Sequence, residues 1–151
     1  MLVRALGVVL GSVLLLVVGA VPAAAQWENI ESVEGPYGSD MTLTKQPHGV
    51  AEGLSVRALA IGRSDTTQWA LSLIGAAPDD DISVAFGDES LPLQDVQRPS
   101  DGVGPTKVFV SKEAFLTMAE TQTVTLRVGD VTAALPKQLR REMKEIFRRA
   151  S

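Results

Sequence analysis

From residue 41 onward, apolar and polar residues alternate in short runs broken by Gly, Pro and Asp clusters, the pattern of antiparallel strands joined by tight turns. The runs predict strands at 41–46, 55–61, 68–74, 82–86, 91–96, 106–110, 123–128 and 131–135. Trp69, Leu71 and Leu73 fall on one side of their run, as do Ile82, Val84 and Phe86 and also Val124, Leu126 and Val128. Ser72, Ser83, Thr123, Thr125 and Arg127 fall on the other. A period of two places the first sets in one buried layer and the second toward solvent, so one sheet face requires a cover. Gly129-Asp130 predicts a tight hairpin, and the turn residues at 77–80 (APDD) and 87–90 (GDES) predict two more.

Two segments change to the helical period. Ser111 is placed to cap a short helix over 112–120, with Glu113 at the positive end of its dipole. The second helix spans 136–150: Pro136 suits the first helical position, and Leu139, Met143, Ile146, Phe147 and Ala150 share an arc about 100° wide. That apolar arc supplies the cover the sheet needs. The expected fold is therefore α+β: a mainly antiparallel β-sheet of short hairpin-connected strands, with one short helix and a C-terminal amphipathic helix packed on the sheet.

The first residues do not belong to this pattern. Arg4 precedes the run ALGVVLGSVLLLVV at 5–18, and Pro22 is followed by three alanines, Ala23, Ala24 and Ala25. A charged start, an apolar stretch and a small-residue site in that order predict a secretory signal peptide over 1–25, cleaved between Ala25 and Gln26. The alternative is an uncleaved N-terminal anchor; Gly7, Gly11, Gly19 and Pro22 weaken it. Localisation is accordingly expected to be periplasmic or secreted. No later apolar run approaches spanning length, so no transmembrane segment is expected in the mature chain. Residues 26–40, with weak periodicity and a Gly-Pro-Tyr-Gly turn, read as an N-terminal arm holding at most one short strand, and 41–151 as a single α+β domain.

Charge divides the mature chain unevenly. Residues 137–151 carry 6 basic side chains against 2 acidic, a net +4, whereas 26–136 carry 7 basic against 16 acidic, a net −9. An acidic body repels a phosphate backbone, so nucleic acid is not an expected partner. On the tail helix Arg140, Arg141, Lys144 and Arg148 all fall within about 60° of Lys137, opposite the apolar arc, with Glu142 and Glu145 on a flank beside Gln138. Such a stripe suits weak electrostatic contact with an anionic surface or an acidic partner.

Candidate chemistry is sparse. The chain has 0 Cys, which removes thiolate catalysis, disulfides and zinc-thiolate sites. His48, the single histidine, reads as a loop residue beside Pro47, since no G-x-S-x-G accompanies it. Asp79, Asp80 and Asp81, with Asp88 and Glu89 at the next turn, lack the ligand spacing of a calcium loop. The turn-rich RPSDGVGP at 98–105 forms no phosphate cradle and reads as a connector or a recognition loop. No catalytic, cofactor-binding or metal-binding residue and no cofactor is assigned. The expected function is an exported, non-enzymatic binding or envelope-associated module with an unknown protein or envelope component as partner. The alternative is an exported hydrolase in which carboxylates such as Asp40, Asp81 and Asp101 converge in space.

Overall fold

The computed structural model describes residues 27–151, so the proposed signal peptide and its cleavage site lie outside the described residues. The strands are β1 (Ile30–Glu34), β2 (Asp40–Thr44), β3 (His48–Ala51), β4 (Leu54–Arg63), β5 (Thr66–Ile74), β6 (Ile82–Phe86), β7 (Glu89–Leu91), β8 (Asp95–Gln97), β9 (Thr106–Val110), β10 (Val124–Val128) and β11 (Val131–Ala134). The helices are α1 (Lys112–Glu120) and α2 (Lys137–Ala150). A seven-stranded antiparallel sheet runs β1-β2-β4-β5-β9-β8, with β3 pairing beside β2 on the same edge of β4. A four-stranded sheet runs β11-β10-β6-β7. The mixed α+β architecture, its antiparallel sheets and the C-terminal helix packed on the sheet are as the periodicity predicts.

Alternation decides which side of the large sheet is covered. Val56, Ala58 and Ala60 of β4, Trp69, Leu71 and Leu73 of β5, and Val108 and Val110 of β9 form one buried layer. The inner faces of the small sheet meet them there through Val84, Leu91, Val124, Leu126 and Val128. Both helices close that side: α2 packs on β4, β2 and α1, and α1 on β5. Phe115, Met118, Leu139, Met143 and Ile146 are fully buried, and the Trp69 ring lies 5.0 Å from Phe115 and 5.1 Å from Phe147. Apolar burial of this kind, about 25 cal/mol per Å² removed from water, is the main term holding the helices to the sheet.

The opposite face of the large sheet is also apolar at its centre. Leu59, Ile61, Ala70 and Phe109 are buried there beside Met41 and Leu43, and Ser72 on the same face is buried rather than turned to water. The reason is local: Leu59, Ala60 and Ile61 are consecutive apolar residues, so β4 cannot have one wholly polar side.

The structure redraws several expected boundaries. Residues 91–96 do not form one strand; Leu91 ends β7 in the small sheet and Asp95 begins β8 in the large one. Pro92 between them lacks the N–H a continuing ladder needs. The turn at 77–80 carries the chain from β5 in one sheet to β6 in the other instead of closing a hairpin, with Asp80 N–H donating to Ala77 O at 3.1 Å. Residues 30–34 of the expected arm form an edge strand paired with β2 over five residue pairs. His48 begins a strand as well. β2 pairs with β4 only at 59–62, and β3 fills the vacant ladder at Leu54, Ser55 and Val56. α2 starts one residue later than the pattern suggests, with Pro136 at its N-cap, whereas α1 matches its expected span and Ser111 Oγ accepts from Ala114 N–H at 3.0 Å.

Candidate functional site

The basic stripe meets a second element and becomes a groove. α1 ends at Glu120, where Thr121 N–H and its hydroxyl both donate to Thr117 O, and the first two turns of α2 lie alongside. Helical spacing of three and four brings Lys137, Arg140, Arg141 and Lys144 to one side of a groove of about 480 Å³, opposite Ala119, Glu120 and Gln122. Four cations thus face one carboxylate. Arg140 is half-buried: its Nη1 donates to Thr121 O at 2.9 Å, and its Nε is buried without a hydrogen-bond partner. Lys137, Arg141 and Lys144 are exposed and form no ion pair among the described residues.

Arg148 leaves the stripe. It bridges the buried Glu145 through Nε at 2.9 Å and through Nη2, and Arg149 Nε donates to the same carboxylate at 2.9 Å. Hydrogen bonding from Arg148 is the main cause that lowers the Glu145 carboxyl from 4.5 to about 2; burial opposes it, and Arg149 reinforces it. The helical wheel places Arg148 in the stripe, and the structure instead turns it, with Arg149, to Glu145 on the flank.

The structure also assembles a polar cluster that sequence spacing does not reveal. His48 Nε2 lies 2.5 Å from Glu142 Oε2, with the Glu142 side chain only 2% exposed. Asn29 Nδ2 sits 3.3 Å from both Glu142 oxygens and 3.2 Å from Gln46 O, while Asn29 Oδ1 accepts from Gln46 N–H at 2.8 Å. Gln138 Nε2 donates to Glu142 Oε1 at 3.4 Å. His48 is therefore not a free loop histidine but the joint between β3, α2 and the segment before β1. Glu142 stands three residues after Leu139 and four before Ile146, so its position beside the apolar arc was readable; the partner 94 residues away was not. Among the described residues no hydroxyl bonds to His48, and its contacts with Glu142 and Asn29 tie β3 to α2 and to the segment before β1.

The other acids go to separate duties. Asp79, Asp80, Asp81 and Asp130 line a hollow of about 470 Å³ with Ser83 and Arg127, where Asp80 Oδ2 accepts from Ala77 N–H and Asp81 O from Gly129 N–H. No group of three His, Cys, Asp or Glu among the described residues is placed to hold a metal ion. Asp40 lines a different hollow with Thr42, Gly62, Thr67 and Arg149, and Asp101 Oδ1 accepts from Val103 N–H within its own loop. No helix among the described residues is long and apolar enough to cross a membrane. Compared with known proteins, the chain matches no protein-family model, no curated sequence and no solved structure.

Proposed function

We propose that this chain is an exported, non-enzymatic binding module that attaches to an anionic surface through the groove between α1 and α2. The carrying observation is the concentration of Lys137, Arg140, Arg141 and Lys144 in one groove against the single carboxylate of Glu120, on a chain that is acidic elsewhere. Like charges crowded on one helix repel, and an anion seated among them relieves that repulsion. The apolar arc of α2 is packed against the sheet, so the helix has no apolar side to insert into a bilayer; attachment is electrostatic and peripheral. The charged start, apolar run and alanine triplet at the N-terminus support export.

The test is co-sedimentation with vesicles of phosphatidylglycerol in phosphatidylcholine, at low and high salt. The triple substitution Lys137→Gln, Arg141→Gln and Lys144→Gln removes the three exposed cations and leaves the anchored Arg140 in place. Binding is expected to fall to the level of phosphatidylcholine alone in the triple variant and in high salt, where the Debye length shrinks to about 3 Å. Arg148→Gln, outside the groove, leaves binding unchanged. Equal sedimentation of wild type and triple variant, or none by the wild type at low salt, refutes the reading.

A further inference from the structure

On the far side of the large sheet from the helices, Arg57 of β4 pairs across the ladder with Ser72 of β5. Both line an open groove of about 560 Å³ whose other walls are Ile74, Gly75, Ala76, Gly102, Val103, Gly104 and Pro105. The second wall is the turn-rich segment singled out in the sequence, and the structure pins it. Arg98 Nη2 donates to Asp80 O at 2.6 Å, Gly102 N–H to Pro99 O at 3.1 Å, and Val103 N–H to Asp101 Oδ1 at 3.0 Å. A tethered loop still holds Val103 76% exposed at the rim, facing a groove that also includes Ile74, 38% exposed. Gly75, with φ of +103°, closes the end of the groove where a side chain would collide with Gly53 O.

Arg57 supplies the polar end. Its Nε is buried and has no hydrogen-bond partner, an uncommon state for a guanidinium and one an acceptor would correct. It forms no ion pair among the described residues, and Lys107, next across the ladder from Ser72, does not line the groove. One guanidinium offers two parallel N–H donors to a planar acceptor of unit charge, which is carboxylate chemistry, whereas a dianionic phosphate calls for a second cation. The apolar rim then calls for a hydrocarbon tail.

We infer that this groove binds a carboxylate with an apolar tail, of medium-chain fatty-acid type, with the head group on Arg57 and Ser72 and the tail along Ile74, Val103 and Pro105. Because Arg57 Nε is buried in the free chain, bidentate contact requires the flexible Arg57 side chain to rotate so that Nε and a terminal nitrogen reach the carboxylate together. The site is distinct from the basic groove between the helices and does not depend on it.

Isothermal titration of the purified chain with octanoate tests this, with acetate, octanol and octyl phosphate as comparison ligands. Saturable binding of one octanoate per chain is expected, with no measurable binding of acetate and weaker binding of octanol and octyl phosphate. Arg57→Gln keeps most of the stem and removes the charge; it should weaken octanoate binding about tenfold or more. Val103→Asp, at an exposed rim position that folding does not require, should weaken it as well. The triple groove variant Lys137→Gln, Arg141→Gln and Lys144→Gln should bind octanoate as wild type does, which separates this site from vesicle attachment. Absence of saturable octanoate binding, unchanged affinity in Arg57→Gln, loss in the triple variant, or octyl phosphate binding as tightly as octanoate each overturns the assignment.

Discussion

Replacing His48 with alanine should destabilise the domain far more than its short side chain suggests. Glu142 is 2% exposed, and its closest polar partner is the imidazole 2.5 Å away; the other donors, Asn29 and Gln138, are amides at 3.3 and 3.4 Å. Removing one partner of a buried hydrogen bond leaves the other unsatisfied, at a cost of about 1–3 kcal/mol. His48 itself is 19% exposed, so water can enter the space it leaves, and the two amides remain; both effects keep the expected loss from the top of that range, at about 2 kcal/mol. In a domain of this size that corresponds to a fall in Tm of roughly 7 °C.

Urea unfolding followed by tryptophan fluorescence measures the loss, because Trp69 is buried between Phe115 and Phe147 and Trp27 packs against the same core. Glu142→Gln, which keeps the shape and two polar atoms but no charge, should cost less than His48→Ala. The double change His48→Leu and Glu142→Leu should recover much of the single loss, since replacing both partners leaves no buried polar group unsatisfied. The reasoning fails if His48→Ala costs under about 1 kcal/mol, or if the double variant loses the sum of the two single effects.

Glu145 makes a distinct contribution with a defined pH window. Its folded carboxyl titrates at about 2 against 4.5 unperturbed, so the stability it adds is fully present above about 4.5 and disappears as pH falls toward 2. Replacing both Arg148 and Arg149 with Gln should reduce the difference in unfolding free energy between pH 5 and pH 2.5, and an unchanged acid limb would show that the pair is not responsible. Phe147→Asp puts a charge beside the Trp69 ring and is expected to cost several kcal/mol with a shift in tryptophan emission, whereas Lys144→Asp on the exposed side should stay within about 0.5 kcal/mol. Equal losses in urea titrations of the two variants would contradict the assignment of faces.

How far the sequence discloses this fold depends on whether the deciding interaction is local. β6, β9 and α1 match their expected spans because alternation or helical period, turn residues and the Ser111 cap all lie within a few positions of one another. β1 and β3 are edge strands of polar and glycine-containing sequence; their strand state comes from the vacant edges of β2 and β4, information carried elsewhere in the chain. The break at Pro92 carried a local sign, but that Leu91 and Val96 serve different sheets did not. The same division runs through the candidate sites. A helical wheel places Lys137, Arg140, Arg141 and Lys144 together, and they do line one groove. The union of His48, Asn29 and Glu142, and the meeting of Arg57 with the loop at 98–105, depend on distant segments whose proximity no periodicity expresses.

The two proposed sites differ in place as well as in chemistry. α2 lies on the side of the large sheet that carries Val56, Ala58 and Ala60, and alternation along β4 sends Arg57 to the opposite side. Attachment through Lys137, Arg141 and Lys144 therefore turns the helical layer toward the anionic surface and leaves the Arg57 groove facing away from it. The buried His48–Glu142 pair and the Trp69–Phe147 contact hold α2 to the sheet between these two faces, which fixes the cations of one relative to the groove of the other. A module built this way can stay on a charged surface while its apolar groove remains open to the solvent side, because neither site uses a residue of the other.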